Sequence, residues 1–191
     1  MPRTAALCTA THVLKGAAAR VLGLPTGAST VSVAFDKKRD NRAKLTLDLN
    51  LAAGAGVAEP SPAQVATVEA ATNAVVAHDV PVHMEAMDRA RATELYGGSM
   101  LDAFPLPEHV TEVTVLTIPA PEAEPDCPLL GAHSGAKAHI EDPEGLWNVN
   151  CCPGEHLPST AGVGRVEITS HNWNSNKGHF RLHYTIHPAG H

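Results

Sequence analysis

The stretch Ala5-Ala6-Leu7-Cys8-Thr9-Ala10-Thr11-His12-Val13-Leu14-Lys15-Gly16-Ala17-Ala18-Ala19-Arg20-Val21-Leu22 decides how this chain must fold. Its apolar residues recur at helical spacing and alanine dominates, so it predicts a helix over 5–22. Leu22-Gly23-Leu24-Pro25-Thr26-Gly27 ends that helix. Cys8 and His12 stand four residues apart, which puts both side chains on one face about one turn apart. The same C-x-x-x-H spacing returns far along the chain as Cys152-Pro153-Gly154-Glu155-His156, compact enough for a tight turn. Thiolate and imidazole together suit zinc, which takes four tetrahedral ligands. Cys8, His12, Cys152 and His156 supply that set if the two segments meet. One such match alone carries little weight. Small cysteines are often simply buried in helices, and in a chain with twelve histidines one pair arises easily by chance. Two pairs with one spacing raise the case for metal.

Outward from the first helix, Val31-Ser32-Val33-Ala34-Phe35 and Lys44-Leu45-Thr46-Leu47-Asp48-Leu49 alternate as strands and predict a hairpin. Ser61-Pro62-Ala63-Gln64 opens a second helix, with Ser61 as N-cap, Pro62 at the first position and Gln64 in capping-box register. It runs to about Ala77 and turns Val65, Val68, Ala71, Val75 and Val76 inward. Val80 to Met87 reads as a strand whose early proline suits an edge. Asp88 caps a short helix from Arg89 to Leu95. Val110 to Ile118 is the clearest strand. Residues 119–145 lose periodicity, with five prolines among acids, Gly and His, and read as a surface loop. Leu146 to Asn150 is a short strand delivering the cysteine turn. Gly164 to Ser170 and Phe180 to Ile186 close the chain as two more strands. The pattern predicts one domain over 1–191, an α+β two-layer sandwich of a mostly antiparallel sheet with packed helices.

Composition narrows the classes. The chain has 191 residues, 43% hydrophobic and 18% charged, which suits one sizeable core and not a disordered segment. No apolar run reaches the 18 residues of a membrane span. The start makes a poor signal peptide, because Thr and His interrupt it and Lys15 follows, so a cytoplasmic location is expected. Cysteines at 8, 127, 151 and 152 are badly spaced for a disulfide framework. The net charge of −6 hides an asymmetry, with residues 1–45 at +6 and residues 46–191 at −12. The densest basic run is Asp36-Lys37-Lys38-Arg39-Asp40-Asn41-Arg42-Ala43-Lys44. It reads either as a solvated hairpin connection or as a loop that contacts phosphate. The acidic balance is wrong for a general duplex-DNA binder.

The two motifs also carry a family likeness. The segment from Cys8 to Gly23 resembles the opening of the alanyl-tRNA synthetase editing domain and of its free-standing AlaX relatives. Their first motif is H-x-x-x-H, matched here from Thr9 to Leu14. Their second is a C-x-x-x-H turn, matched at Cys152, Gly154 and His156. Thr160, Gly162, Gly164 and Arg165 resemble its trailing stretch. Leu45 to Leu49, Thr67 to Met87, and Lys177 to Tyr184 resemble intervening and closing elements, so the likeness covers nearly the whole chain. It implies the α+β editing fold of the threonyl- and alanyl-tRNA synthetases. It also implies hydrolysis of the ester joining a wrong amino acid to tRNA, by a short free-standing editor acting in trans on the aminoacyl-tRNA acceptor end. Three positions depart from the pattern. Cys8 replaces the first histidine. Asn150 stands where many relatives carry Glu. Pro153 and Glu155 replace the Gly and Thr of the turn.

By that resemblance zinc sits on Cys8, His12, Cys152 and His156; without Cys8, the other three leave an open water position. Thr11, Asn150 and Glu155 are candidate polar contacts to the aminoacyl group. Lys37, Lys38, Arg39, Arg42, Lys177 and Arg181 are candidate phosphate contacts, which position RNA without reading its sequence. Trp147, Trp173 and Phe180 are either stacking platforms or core. Asp48 is a candidate partner of a ligand imidazole, and His133 and His139 lie in the proline-rich loop. The expected substrate is a small hydroxy amino acid on tRNA, serine or threonine-like, with fluorothreonine included. Two other classes fit the same residues: a zinc-stabilised RNA-binding domain without hydrolysis, and a metallohydrolase of small esters.

Overall fold

A computed structural model describes residues 3–24, 29–51, 58–100, 106–122 and 145–188. Helix α1 covers Arg3–Leu22, α2 covers Pro62–Ala77 and α3 covers Arg89–Tyr96. The strands are β1 (Thr30–Phe35), β2 (Arg42–Asp48), β3 (His83–Asp88), β4 (Glu112–Pro119), β5 (Leu146–Cys151), β6 (Arg165–Asn174) and β7 (His179–His187). The local signals in the sequence produce these elements directly. Ser61 Oγ accepts the Gln64 amide and Gln64 Oε1 accepts the Ser61 amide, closing the capping box of α2. Asp88 Oδ1 accepts the Ala90 and Arg91 amides at the start of α3. Gly23, at φ 65°, lets the Leu24 amide reach back to the Ala19 carbonyl and end α1.

The fold is α+β with packed helices and antiparallel strand pairing, but its strands fall in two sheets. One has order β1-β2-β7-β6 and the other β3-β4-β5. The reason is α1, which separates them. Leu45 and Leu47 of β2, with Phe180, Leu182, Tyr184 and Ile186 of β7, form the inner face of the four-stranded sheet and join α1 and α2 in one core. The opposite side of α1 meets β5. A helix buried on two sides cannot be amphipathic, and Ala10, Val13, Leu14, Ala17 and Ala18 are all fully buried. Every α2 position expected inside is buried. The β3 strand is an edge, exposed along most of its length, and Pro81 before it makes only an isolated bridge to Ser159.

The α1–β5 contact is close because Gly16 lacks a side chain. A Cβ there would collide with the Trp147 ring and its main-chain oxygen. Trp147 is fully buried, donates from Nε1 to the Val13 carbonyl, and carries the Arg20 guanidinium 4.2 Å above its ring. Arg20 also donates to the Trp147 and Leu146 carbonyls, which ties the start of β5 to the helix. The proline-rich loop lies outside the described residues from 123 to 144, as do Cys127, His133 and His139. No described helix is long and apolar enough to cross a membrane.

Candidate metal centre

The polar stripe of α1, formed by Cys8, His12 and Lys15, faces β5 and the turn that follows it. Three backbone attachments hold that turn. The Cys152 amide donates to the Thr114 carbonyl, the Leu157 amide to Thr9 Oγ1, and the Val82 amide to the Pro158 carbonyl. The Thr9 contact is the one that docks the turn onto α1, across 148 residues of sequence.

This docking brings His12, Cys152 and His156 together, with their donor atoms all within 4.8 Å of one another. His156 Nε2 lies 3.3 Å from Cys152 Sγ, and the two imidazoles meet edge-on with centroids 5.0 Å apart. Tetrahedral zinc with bonds of about 2.0–2.3 Å holds its donors about 3.3–3.8 Å apart, the spacing of the His156–Cys152 pair. Cys8 does not belong to that set of three, but its sulfur faces the same space. A Cβ placed on Gly154 would lie 3.5 Å from Cys152 Sγ, 3.6 Å from His156 Nε2 and 3.9 Å from Cys8 Sγ. Glycine at 154 therefore keeps open a cradle that the donors surround, and the residues present fit a metal ion. The described cysteines Cys8, Cys151 and Cys152 are all free of disulfides.

The electrostatics favour ligation as well. Burial pushes the His12 imidazole well below its ordinary range, helped by the nearby Lys15 charge and by His156. Burial also lowers His156, to about 4. Both rings are therefore neutral near pH 7, the form that binds metal. Burial raises the Cys8 thiol, reinforced by Cys152 and then Glu155. A cation in the cradle reverses that penalty by stabilising thiolate.

Two residues beside the cluster escaped the sequence reading. Asn148 places Oδ1 2.9 Å from His12 Nδ1, which fixes a proton on Nδ1 and leaves Nε2 free for a metal. Its only sequence signal is alternation with Trp147 and Val149 in a short strand. Lys15 is almost fully buried and donates to Asn150 Oδ1 at 3.1 Å. Its signal was the i+3 spacing from His12. Asp48, considered as a partner for a ligand imidazole, instead accepts from the Asn50 amide and side chain. Its strand belongs to the other sheet, and Asn148 holds the place it was expected to fill.

Thr11 turns toward the four-stranded sheet and not into the cluster. Its hydroxyl donates to the Leu7 carbonyl and shares a 2.6 Å hydrogen bond with Tyr184 Oη, on the four-stranded sheet. Asn150 is also buried, and its amide donates to the Met100 carbonyl. Glu155 is exposed on the cysteine turn. Lys37, Lys38 and Arg39 are exposed in the β1–β2 turn, and Arg42 begins β2. Lys177 sits in the β6–β7 turn at the far end of that sheet, beside Asn50, and Arg181 lies between the two ends. Trp147 and Phe180 are fully buried, so neither is a stacking platform, and Trp173 packs partly into the core.

No family model matches the chain. It is 27% identical over 160 residues to the alanine–tRNA ligase of Methanopyrus kandleri, an alignment that takes in 84% of this chain. The chain spans only 13% of the length of that relative. The similarity is weak homology to a protein of the alanine–tRNA ligase family. It is consistent with a tRNA-synthetase-related domain, and the His/Cys/His cluster is a candidate metal-binding site.

Proposed function

We propose that the protein is an editing hydrolase that removes a wrongly attached amino acid from tRNA by cleaving the aminoacyl ester. Its substrate is a small hydroxy amino acid, serine or a threonine-like residue such as fluorothreonine. The observation that carries the reading is the convergence of two distant C-x-x-x-H segments on one cradle, in a chain homologous to an alanine–tRNA ligase.

Ester hydrolysis needs a placed water, stabilisation of the tetrahedral oxyanion and a proton for the leaving ribose oxygen. His12, Cys152 and His156 hold zinc in this reading, with Cys8 as the fourth ligand. Zinc in such a site supplies an electrophilic centre, and a water-activating one where a coordination position is left open. The chain's own residues do the positioning. Asn148 orients His12. Lys15 and Asn150 form a buried polar wall, and Thr11 holds the helix to the sheet through Tyr184. Glu155, exposed on the turn, meets the charged amine of the aminoacyl group in this reading. Because Asn150 is an amide engaged by Lys15 and the Met100 carbonyl, no carboxylate base stands at that point.

Deacylation of seryl-, glycyl-, threonyl- and fluorothreonyl-tRNA, with the protein and with His12→Ala, tests the proposal. The protein clears at least one of these esters and His12→Ala does not. Shifted RNA without deacylation identifies a zinc-stabilised RNA-binding domain instead. Turnover of a small ester without tRNA identifies a simpler metallohydrolase.

A further inference from the structure

The two faces of the four-stranded sheet differ sharply. Antiparallel register places directly opposed residues on one face. Leu45 opposes Leu182 in the core, so Thr46 opposes Arg181, Lys44 opposes His183 and Arg42 opposes Thr185 on the outer face. Ser32 and Ala34 of β1, and Ser170 and Asn172 of β6, extend these rows. The outer face is thus polar and hydroxyl-rich. It carries Arg42, Lys44 and Arg181 in a zigzag on neighbouring strands.

Among the described residues these cations make no ion pair. The acids of this region are engaged elsewhere: Asp36 accepts from the Lys38 amide, Asp48, on the same face, accepts from Asn50, and Glu167 accepts from Arg165 and His187. Lys44 and Arg181 instead both act on His183, lowering its basicity after burial has done so. Buried donors on this face are unused as well. Thr46 and Thr185 are 3% and 4% exposed, and their hydroxyls, like Arg181 Nε, make no hydrogen bond. Such groups are costly to leave unpaired when buried. A groove of about 370 Å³ runs along Phe35, Arg42, Lys44, Thr169, Ser170 and His183. Phe35, 41% exposed at the sheet edge, opposes Ala43 and so belongs to the other face.

Unpaired cations on an otherwise acidic chain match one ligand chemistry, the phosphates of an RNA strand. We infer that the outer face of the four-stranded sheet is an RNA-backbone site, in which Lys44, Arg42 and Arg181 bind phosphate. It rests on the proposed RNA substrate and locates how that substrate is held. The metal cradle, built partly on α1, lies on the inner-face side of this sheet, so anchoring and chemistry occupy different faces. The basic β1–β2 turn prolongs the Arg42 end of the same track.

The test is fluorescence anisotropy of labelled, uncharged tRNA between about 50 and 200 mM salt, a range over which phosphate contacts dominate affinity. Its arms are the full protein, the double variant Lys44→Gln/Arg181→Gln, and Arg91→Gln. Arg91 pairs with Glu94 on α3, away from the sheet, and controls for charge alone. The double variant weakens binding about tenfold or more, equally across RNA sequences, and flattens the salt slope by about 2. Arg91→Gln binds like the parent. An unchanged Kd and slope in the double variant, or an equal loss in Arg91→Gln, overturns the site while tRNA deacylation by the parent still upholds the proposed function. A parent protein that neither binds nor deacylates tRNA removes both.

Discussion

Asn148→Leu separates a role in holding metal from a role in holding the fold. Asn148 is fully buried, and its Oδ1 makes the 2.9 Å bond to His12 Nδ1. Its Nδ2 is buried with no hydrogen-bond partner. Leucine keeps the branching at Cγ and removes both polar atoms. Losing the His12 bond leaves the buried Nδ1 without a partner, at a cost of about 1–3 kcal/mol, while losing the orphan N–H relieves a penalty of the same size. The metal-free variant therefore stays within about 2 kcal/mol of the parent in urea denaturation. Zinc affinity moves the other way. Without an acceptor at Nδ1 the imidazole loses its fixed tautomer and orientation, which costs about 10–100-fold in metal affinity, or about 1.4–2.7 kcal/mol. Competition against a chromogenic chelator at neutral pH reads this directly. Asn148→Asp, which keeps an acceptor oxygen, retains more of the affinity. Parental zinc affinity in Asn148→Leu would refute the assignment of Asn148 as the residue that orients His12.

Two further expectations follow from the same packing. In the metal-free protein His12 and His156 are held neutral by burial, so their folded-state basicity is below that of the unfolded chain. The unfolded state then takes up more protons as pH falls, and the urea midpoint declines from pH 6.5 down to about 4. A midpoint that stays flat across that window contradicts the burial argument, and bound zinc shifts the decline to lower pH. Gly16→Ala drives a methyl group into the Trp147 ring and main-chain oxygen, and backbone cannot yield cheaply. It destabilises the protein by about 1–3 kcal/mol in chemical denaturation and weakens zinc binding, because β5 carries Asn148. An unaltered midpoint means that α1 and β5 are not in close contact.

Local chemistry was legible wherever neighbours in the chain determine it. The Ser61-Pro62-Ala63-Gln64 cap, the Asp88 cap, the alternation of β2 and β4, and the i, i+4 face shared by Cys8 and His12 all depend on residues a few positions apart. The sequence by itself determined these elements and the pair of ligand half-sites. Only the tertiary structure decided which residues support them. Asn148 reaches His12 across 136 positions, and Leu157 reaches Thr9 across 148. No periodicity encodes such contacts. They depend on α1 being buried on both sides, a condition that made Trp147 core, turned Thr11 toward Tyr184 and split the strands into two sheets. The outer face of the four-stranded sheet was hidden for the same reason. Arg42, Lys44 and Arg181 come from two strands far apart in the chain, and only the β2–β7 register sets them side by side.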